Sequence, residues 1–198
     1  MGKIKNLAAV LVCSALSMLP LKGHSEDFDY FKRYQETVKT PDDCAYFLDA
    51  VAYSHDLYMH NAEDYWQAPA KTAETMMEDC DGMAILAAGV LADNDYPPLI
   101  LDMEPYKRDG ENLVNDAQGT RKYGHAVFIY KESEKWRYVD RLKNSKPFDT
   151  ISDLVKSFNE YKSYKLINLD DLGIDWVNYQ GNLRDCIPNY SSDFVNID

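Results

Sequence analysis

The chain has 198 residues, 45% of them hydrophobic and 27% charged, a globular composition with room for one core and little more. Its formal net charge of −12 repels nucleic acid and anionic lipid, so neither is an expected partner. The 15 tyrosines suit a soluble domain with a broad groove, because a tyrosine ring can be half buried while its hydroxyl stays wet.

The first residues carry the three-part pattern of a secretory signal. Lys3 and Lys5 are followed by the uncharged apolar run Leu7–Leu19, and then by the small residues of Gly23-His24-Ser25. The run is too short to span a bilayer comfortably. The expected organisation is a signal peptide over 1–25, cleaved near Ser25, and a single domain over 26–198. A lipoprotein alternative rests on Cys13, which Val12 precedes where a small residue is expected. Loss of 1–25 removes three lysines and no acid, taking the charge from −12 to −15. A periplasmic or secreted protein is expected, with no membrane insertion after processing.

The processed chain keeps Cys44, Cys80 and Cys186, an odd count that leaves at least one thiol unpaired. A Cys44–Cys186 bridge would staple the two ends and free Cys80, and an exported protein permits it. Other pairings stay open. No Cys-x-x-Cys pair exists, which argues against a disulfide-handling protein.

In chain order, residues 26–38 read as an entry helix. Thr40-Pro41-Asp42-Asp43 is a helix start, with a capping Thr, an early Pro and acids at the positive end. Phe47, Leu48, Val51 and Tyr58 follow at helical spacing and predict a helix over about 41–60. His55 and His60 would then point apart, so no metal pair is implied. A loop carries Tyr65-Trp66-Gln67, and a short helix is expected over 70–77. Asp79-Cys80-Asp81-Gly82 leads into Met83–Leu91, which is small and apolar nearly all round, the pattern of a helix at the centre of a domain. Leu99–Met103 reads as a buried strand. Residues 104–122 are polar, either a lid or a long solvated connection. Ala126–Tyr130 and Trp136–Val139 form a hairpin about Lys131-Glu132-Ser133-Glu134. A helix over Ser152–Tyr161, a strand over Tyr164–Leu169 and an irregular tail from Gly173 complete the chain. The tail's aromatics can pack back onto the body. Helices first and antiparallel strands second argue α+β.

Three residues carry chemistry. Cys80 sits at the entrance of the buried helix, where the macrodipole favours thiolate and unpaired N–H groups can meet an oxyanion. Asp79 and Asp81 act the other way, raising the thiol pKa by like-charge repulsion. His125 opens a strand, and histidine is the side chain suited to take a proton near neutral pH. Asp140 ends the neighbouring strand, so the hairpin would bring its carboxylate to the imidazole at one open end. Together they make a nucleophile, a base and an orienting acid.

The stretch Asp64-Tyr65-Trp66-Gln67-Ala68-Pro69, with Thr72 and Asp79-Cys80-Asp81, resembles the nucleophile region of bacterial transglutaminase-like cysteine proteinases. Gly124-His125-Ala126-Val127 and Val139-Asp140 resemble that superfamily's His and Asp elements, in the same order. The likeness covers about residues 58–142. It departs at Met76-Met77-Glu78, where glycine is usual before the Asp-Cys pair, and at Lys71, where an acid is usual. The resemblance implies a papain-like core, with N-terminal helices and a nucleophile helix packed on an antiparallel sheet. It also implies a Cys80-His125-Asp140 triad and a protein or peptide substrate cleaved or transferred through a thioester. Trp66 or Gln67 would line the acyl pocket, or supply a second oxyanion donor, unless Trp66 simply packs the core. No cofactor is expected. Some relatives hold calcium with acids beside the nucleophile, and Asp79 and Asp81 alone fall short of a full oxygen shell. The alternative to an enzyme is a non-catalytic protein- or peptide-binding module on the same scaffold.

Overall fold

The computed structural model describes residues 29–62, 64–105, 124–141, 143–159, 161–190 and 192–197. The expected signal segment and nearly all of the polar 104–122 stretch lie outside them.

Two capped helices open the fold. Asp29 accepts the Lys32 N–H at 2.9 Å and starts α1, Tyr30–Thr37. Thr40 and Asp43 form a reciprocal capping box at the start of α2, Pro41–Leu48. The helix expected over 41–60 ends here. Val51 is fully buried, and beyond it the backbone is taken by another partner. The Ala52 N–H bonds the Met76 carbonyl and the Ser54 N–H bonds the Glu78 carbonyl. These bonds make β1, Ala52–Tyr53, parallel to β2, Met77–Glu78. The one-turn helix α3, Asp56–Met59, follows β1, and Tyr58 on it is 82% exposed, so it never belonged to an apolar stripe.

Helix α4, Pro69–Thr75, stops where Met76 turns left-handed at φ 49°. β2 then delivers the chain into α5, Cys80–Ala92. Every residue from Asp81 to Leu91 is buried in this helix, as its apolar composition requires.

The sheet has six antiparallel strands in the order β6-β5-β4-β3-β7-β8. These are β3 Leu99–Glu104, β4 His125–Glu132, β5 Lys135–Asp140, β6 Lys143–Asn144, β7 Ser163–Asn168 and β8 Val195–Asn196. The β4–β5 turn is two residues, Ser133 and Glu134, both at positive φ, a turn that follows the strands' natural twist. Helix α6, Ile151–Lys156, is shorter than expected and is capped by Thr150.

Strand alternation separates two apolar layers. Ile100, Ala126, Phe128, Tyr130 and Val139 pack with α5 and the helices around it. Leu101, Met103, Val127, Ile129 and Tyr138 face the other way, toward Phe148 and the Leu154 and Val155 of α6. Each fully buried large aliphatic here contributes about 1.5–3 kcal/mol of transfer free energy. The fold is α+β, with the expected nucleophile helix lying on an antiparallel sheet.

The tail packs back onto the body. Asn182 accepts the Trp66 N–H at 2.9 Å and donates to the Asp64 carbonyl at 3.1 Å, and the Leu183 N–H reaches the Trp66 carbonyl. Arg184 pairs with Asp64 at 2.6 Å and lies over the Tyr190 ring. The segment 182–190 thus fixes the 64–67 loop ahead of α4.

Of the pairings left open, Cys44–Cys186 does not form: Cys44, Cys80 and Cys186 are all free. Cys44 lies on the inner face of α2, completely buried in the core, so it fills space as a small apolar side chain instead of reaching the tail.

Candidate active site

Cys80 is the first residue of α5, placed there by the Asp79 cap, whose carboxylate accepts the Asp81 N–H at 3.3 Å. The Asp81 carboxylate accepts the Gly82 N–H at 2.6 Å. Two of the first-turn N–H groups open to an oxyanion in the sequence reading are thus already taken by acids. The Ala126 backbone N–H lies near enough to the Cys80 sulfur to favour its thiolate. Burial pushes the thiol pKa up, and the neighbouring Asp79, then Asp102 and Asp140, push it further; the Ala126 N–H acts the other way. These influences favour the neutral thiol at rest.

His125 opens β4, and its Nε2 lies 3.1 Å from the Asp140 carboxylate at the end of β5. The register sets Val139 opposite Phe128, so Asp140 falls opposite Val127 and meets His125 on the diagonal. The ring also packs against Phe158 and Tyr161, with centroids at 5.8 and 6.3 Å. Alternation puts His125 on the face of Val127 and Ile129, whereas α5 covers the face of Ala126 and Phe128. The sulfur's partner is therefore the backbone of β4 one residue beyond the imidazole, and the imidazole's partner is Asp140.

Trp66 is 1% exposed, edge-on to Tyr190 in the core. Gln67 is also buried, and its amide donates to the Thr72 hydroxyl at 3.3 Å. Asp102 on β3, cross-strand from Ala126, is buried and accepts the Tyr190 hydroxyl at 2.6 Å; burial lifts its carboxyl pKa to about 7. Nothing in the sequence paired Asp102 with the distant Tyr190, because that contact depends on the path of the irregular tail.

A second group of acids surrounds the entrance to α5. Oxygens of Asp56, Glu78, Asp79 and Asp81 all lie within 4.8 Å of one another, and so do the donor atoms of Asp56, His60 and Glu78. Asp79 and Asp81 therefore do not stand alone beside Cys80, and the oxygen set suits a divalent cation better than two carboxylates would. Burial lifts the Asp56 carboxyl to about 7 and the Glu78 carboxyl to about 8, each helped by the other's charge or that of Asp79. Asp81, buried among the same acids, is also well above the usual carboxylate range. Burial lowers the His60 pKa, which keeps its imidazole neutral.

No family model and no curated protein matches this chain. Among solved structures it is similar to LapG of Legionella pneumophila at 14% identity and a TM-score of 0.45, over 81% of this chain and 82% of that one. An EGTA-treated form of the same protein gives 14% identity and a TM-score of 0.44, over 80% of each chain. Both likenesses are distant.

Proposed function

We propose that the protein is a cysteine-dependent amide hydrolase or acyl transferase that uses Cys80, His125 and Asp140 on a protein or peptide substrate. The observation that carries this reading is the His125–Asp140 pair at the strand end, with the next residue, Ala126, beside Cys80. Asp140 occupies Nε2, so Nδ1 is the nitrogen that would face the sulfur around the open end of β4.

The thiol proton passes to Nδ1 as sulfur attacks the substrate carbonyl carbon. The oxyanion forms at the helix entrance, where the Cys80 N–H is the donor. Collapse breaks the C–N bond, and the imidazolium returns its proton to the leaving amine. A thioester remains. Water, deprotonated by the imidazole, then frees the acid, or an amine acceptor takes the acyl group. A neutral resting thiol suits this concerted transfer better than a standing ion pair. Export, through the leader expected at 1–25, would make the substrate a periplasmic or extracellular protein. Among the described residues no helix is long and apolar enough to cross a membrane.

Labelled casein and fluorogenic peptide libraries provide the test. Cys80→Ala should abolish amide cleavage, and His125→Ala should lower it by roughly 10²–10⁴-fold. Full activity in Cys80→Ala would end the proposal. The binding-module alternative draws on the raised thiol pKa and the acids around it. It predicts peptide binding that both variants retain, with no turnover.

A further inference from the structure

We propose that Asp56, His60 and Glu78 form a three-ligand site for a divalent transition metal, zinc by preference, at the junction of α3 and β2 just ahead of Cys80. The site is independent of the catalytic reading and stands on three orphaned atoms. Asp56 Oδ1, His60 Nε2 and Glu78 Oε2 are each buried and receive no hydrogen bond from a protein N–H or hydroxyl, the two carboxyls facing each other. Glu78 is 0% exposed and Asp56 2% exposed, so neither carboxyl faces bulk solvent.

The other oxygen of each acid is already engaged, which aims the free one inward. Asp56 Oδ2 accepts the Tyr65 N–H, and Glu78 Oε1 accepts the Asp79 N–H at 3.3 Å. The His60 ring is stacked on Tyr65, with centroids 4.3 Å apart, so its orientation is fixed as well. His60 Nε2 lies 3.6 Å from Glu78 Oε2. That is too long for a hydrogen bond. It matches the edge of a tetrahedron of ligands held about 2.0–2.2 Å from a central ion, which is about 3.3–3.6 Å.

Glu78 holds this place because residue 82 has no side chain. A Cβ on Gly82 would stand 1.8 Å from Glu78 Cγ. The first turn of α5 is thus shaped around this carboxylate.

The donor set selects the metal. One neutral imidazole and two carboxylates suit zinc, whereas calcium and magnesium take oxygen. Asp79 and Asp81 offer oxygens nearby, but they also accept N–H groups of α5, and none of the orphaned atoms is theirs.

The test is isothermal titration of the EDTA-stripped, dialysed chain with zinc, calcium and magnesium chlorides, with thermal melts alongside. Zinc should bind at one equivalent and raise Tm by roughly 5 °C at 100-fold excess over Kd. Cobalt in its place should give visible bands of a four- or five-coordinate N/O site. His60→Gln and Glu78→Gln should each weaken zinc by about 100-fold or more. Cys80→Ser should bind zinc as the parent does, which separates this site from capture by the thiol. Glu78→Gln keeps the size and shape of the buried side chain, and its metal-free melt, read alongside, separates loss of zinc from loss of fold. Absence of zinc binding, equal binding by His60→Gln, or calcium binding in preference to zinc would overturn the proposal.

Discussion

Gly82→Ala tests the packing at the entrance of α5, where the nucleophile is set. An alanine ordinarily strengthens a helix interior by about 1 kcal/mol over glycine. Here its Cβ would lie 1.8 Å from Glu78 Cγ and 2.5 Å from Cδ. Glu78 is fully buried, so neither carbon can swing into solvent. Overpacking of this kind costs about 1–3 kcal/mol and occasionally more. An approach as close as 1.8 Å falls at the upper end, about 2–3 kcal/mol, so the net expectation is a loss of roughly 1–2 kcal/mol, read as a lower midpoint in urea with an unchanged slope. In a Glu78→Ala background the clashing carbons are gone. The same substitution should then stabilise by about 1 kcal/mol, a coupling of roughly 2–3 kcal/mol across the cycle. A Gly82→Ala protein as stable as its parent, or equal effects in both backgrounds, would refute the account of this turn.

Three further expectations follow from the same coordinates. Asp56 and Glu78 have folded pKa values raised to about 7 and about 8, so the metal-free native state holds more protons than the unfolded chain between about pH 4 and 8. Stability should therefore be highest on the acid side of that window and fall as pH rises through it, and Glu78→Gln should flatten the slope in urea melts. Asn182→Ala removes the acceptor of the Trp66 N–H and the donor to the Asp64 carbonyl; a loss of about 1–3 kcal/mol in chemical denaturation is expected. Cys44 should resist Ellman's reagent until the protein unfolds, and non-reducing peptide maps should show it unlinked to Cys186.

Local signals made much of this fold legible. The Thr40-Pro41 start, the all-apolar 83–91 run and the 124–140 hairpin are each written in short windows of sequence, and each appears where it was expected. The meeting of His125 with Asp140 needs only the hairpin register, so it too was readable. The expected 41–60 helix went astray because Val51 and Tyr58 fit a helical period while the backbone between them pairs with 76–78, a partner some 25 residues on. That error also hid the acid cluster. On one continuous helix His60 would meet only Asp56, one turn back, but once the chain folds back at 52–53 it lies against Glu78 as well. The engagement of Trp66 by Asn182 and of Asp102 by Tyr190 joins residues 116 and 88 apart through an irregular tail, which periodicity cannot reveal.

The enzymatic account turns on whether the imidazole assists the Cys80 sulfur. Iodoacetamide labelling of the folded chain at pH 7, with Cys80 quantified by peptide mapping, reads this directly. The account predicts that His125→Ala slows Cys80 labelling by about 100-fold while leaving Cys186 labelling unchanged. Equal labelling of Cys80 in the two proteins, or a Cys80 inert in both, would contradict it.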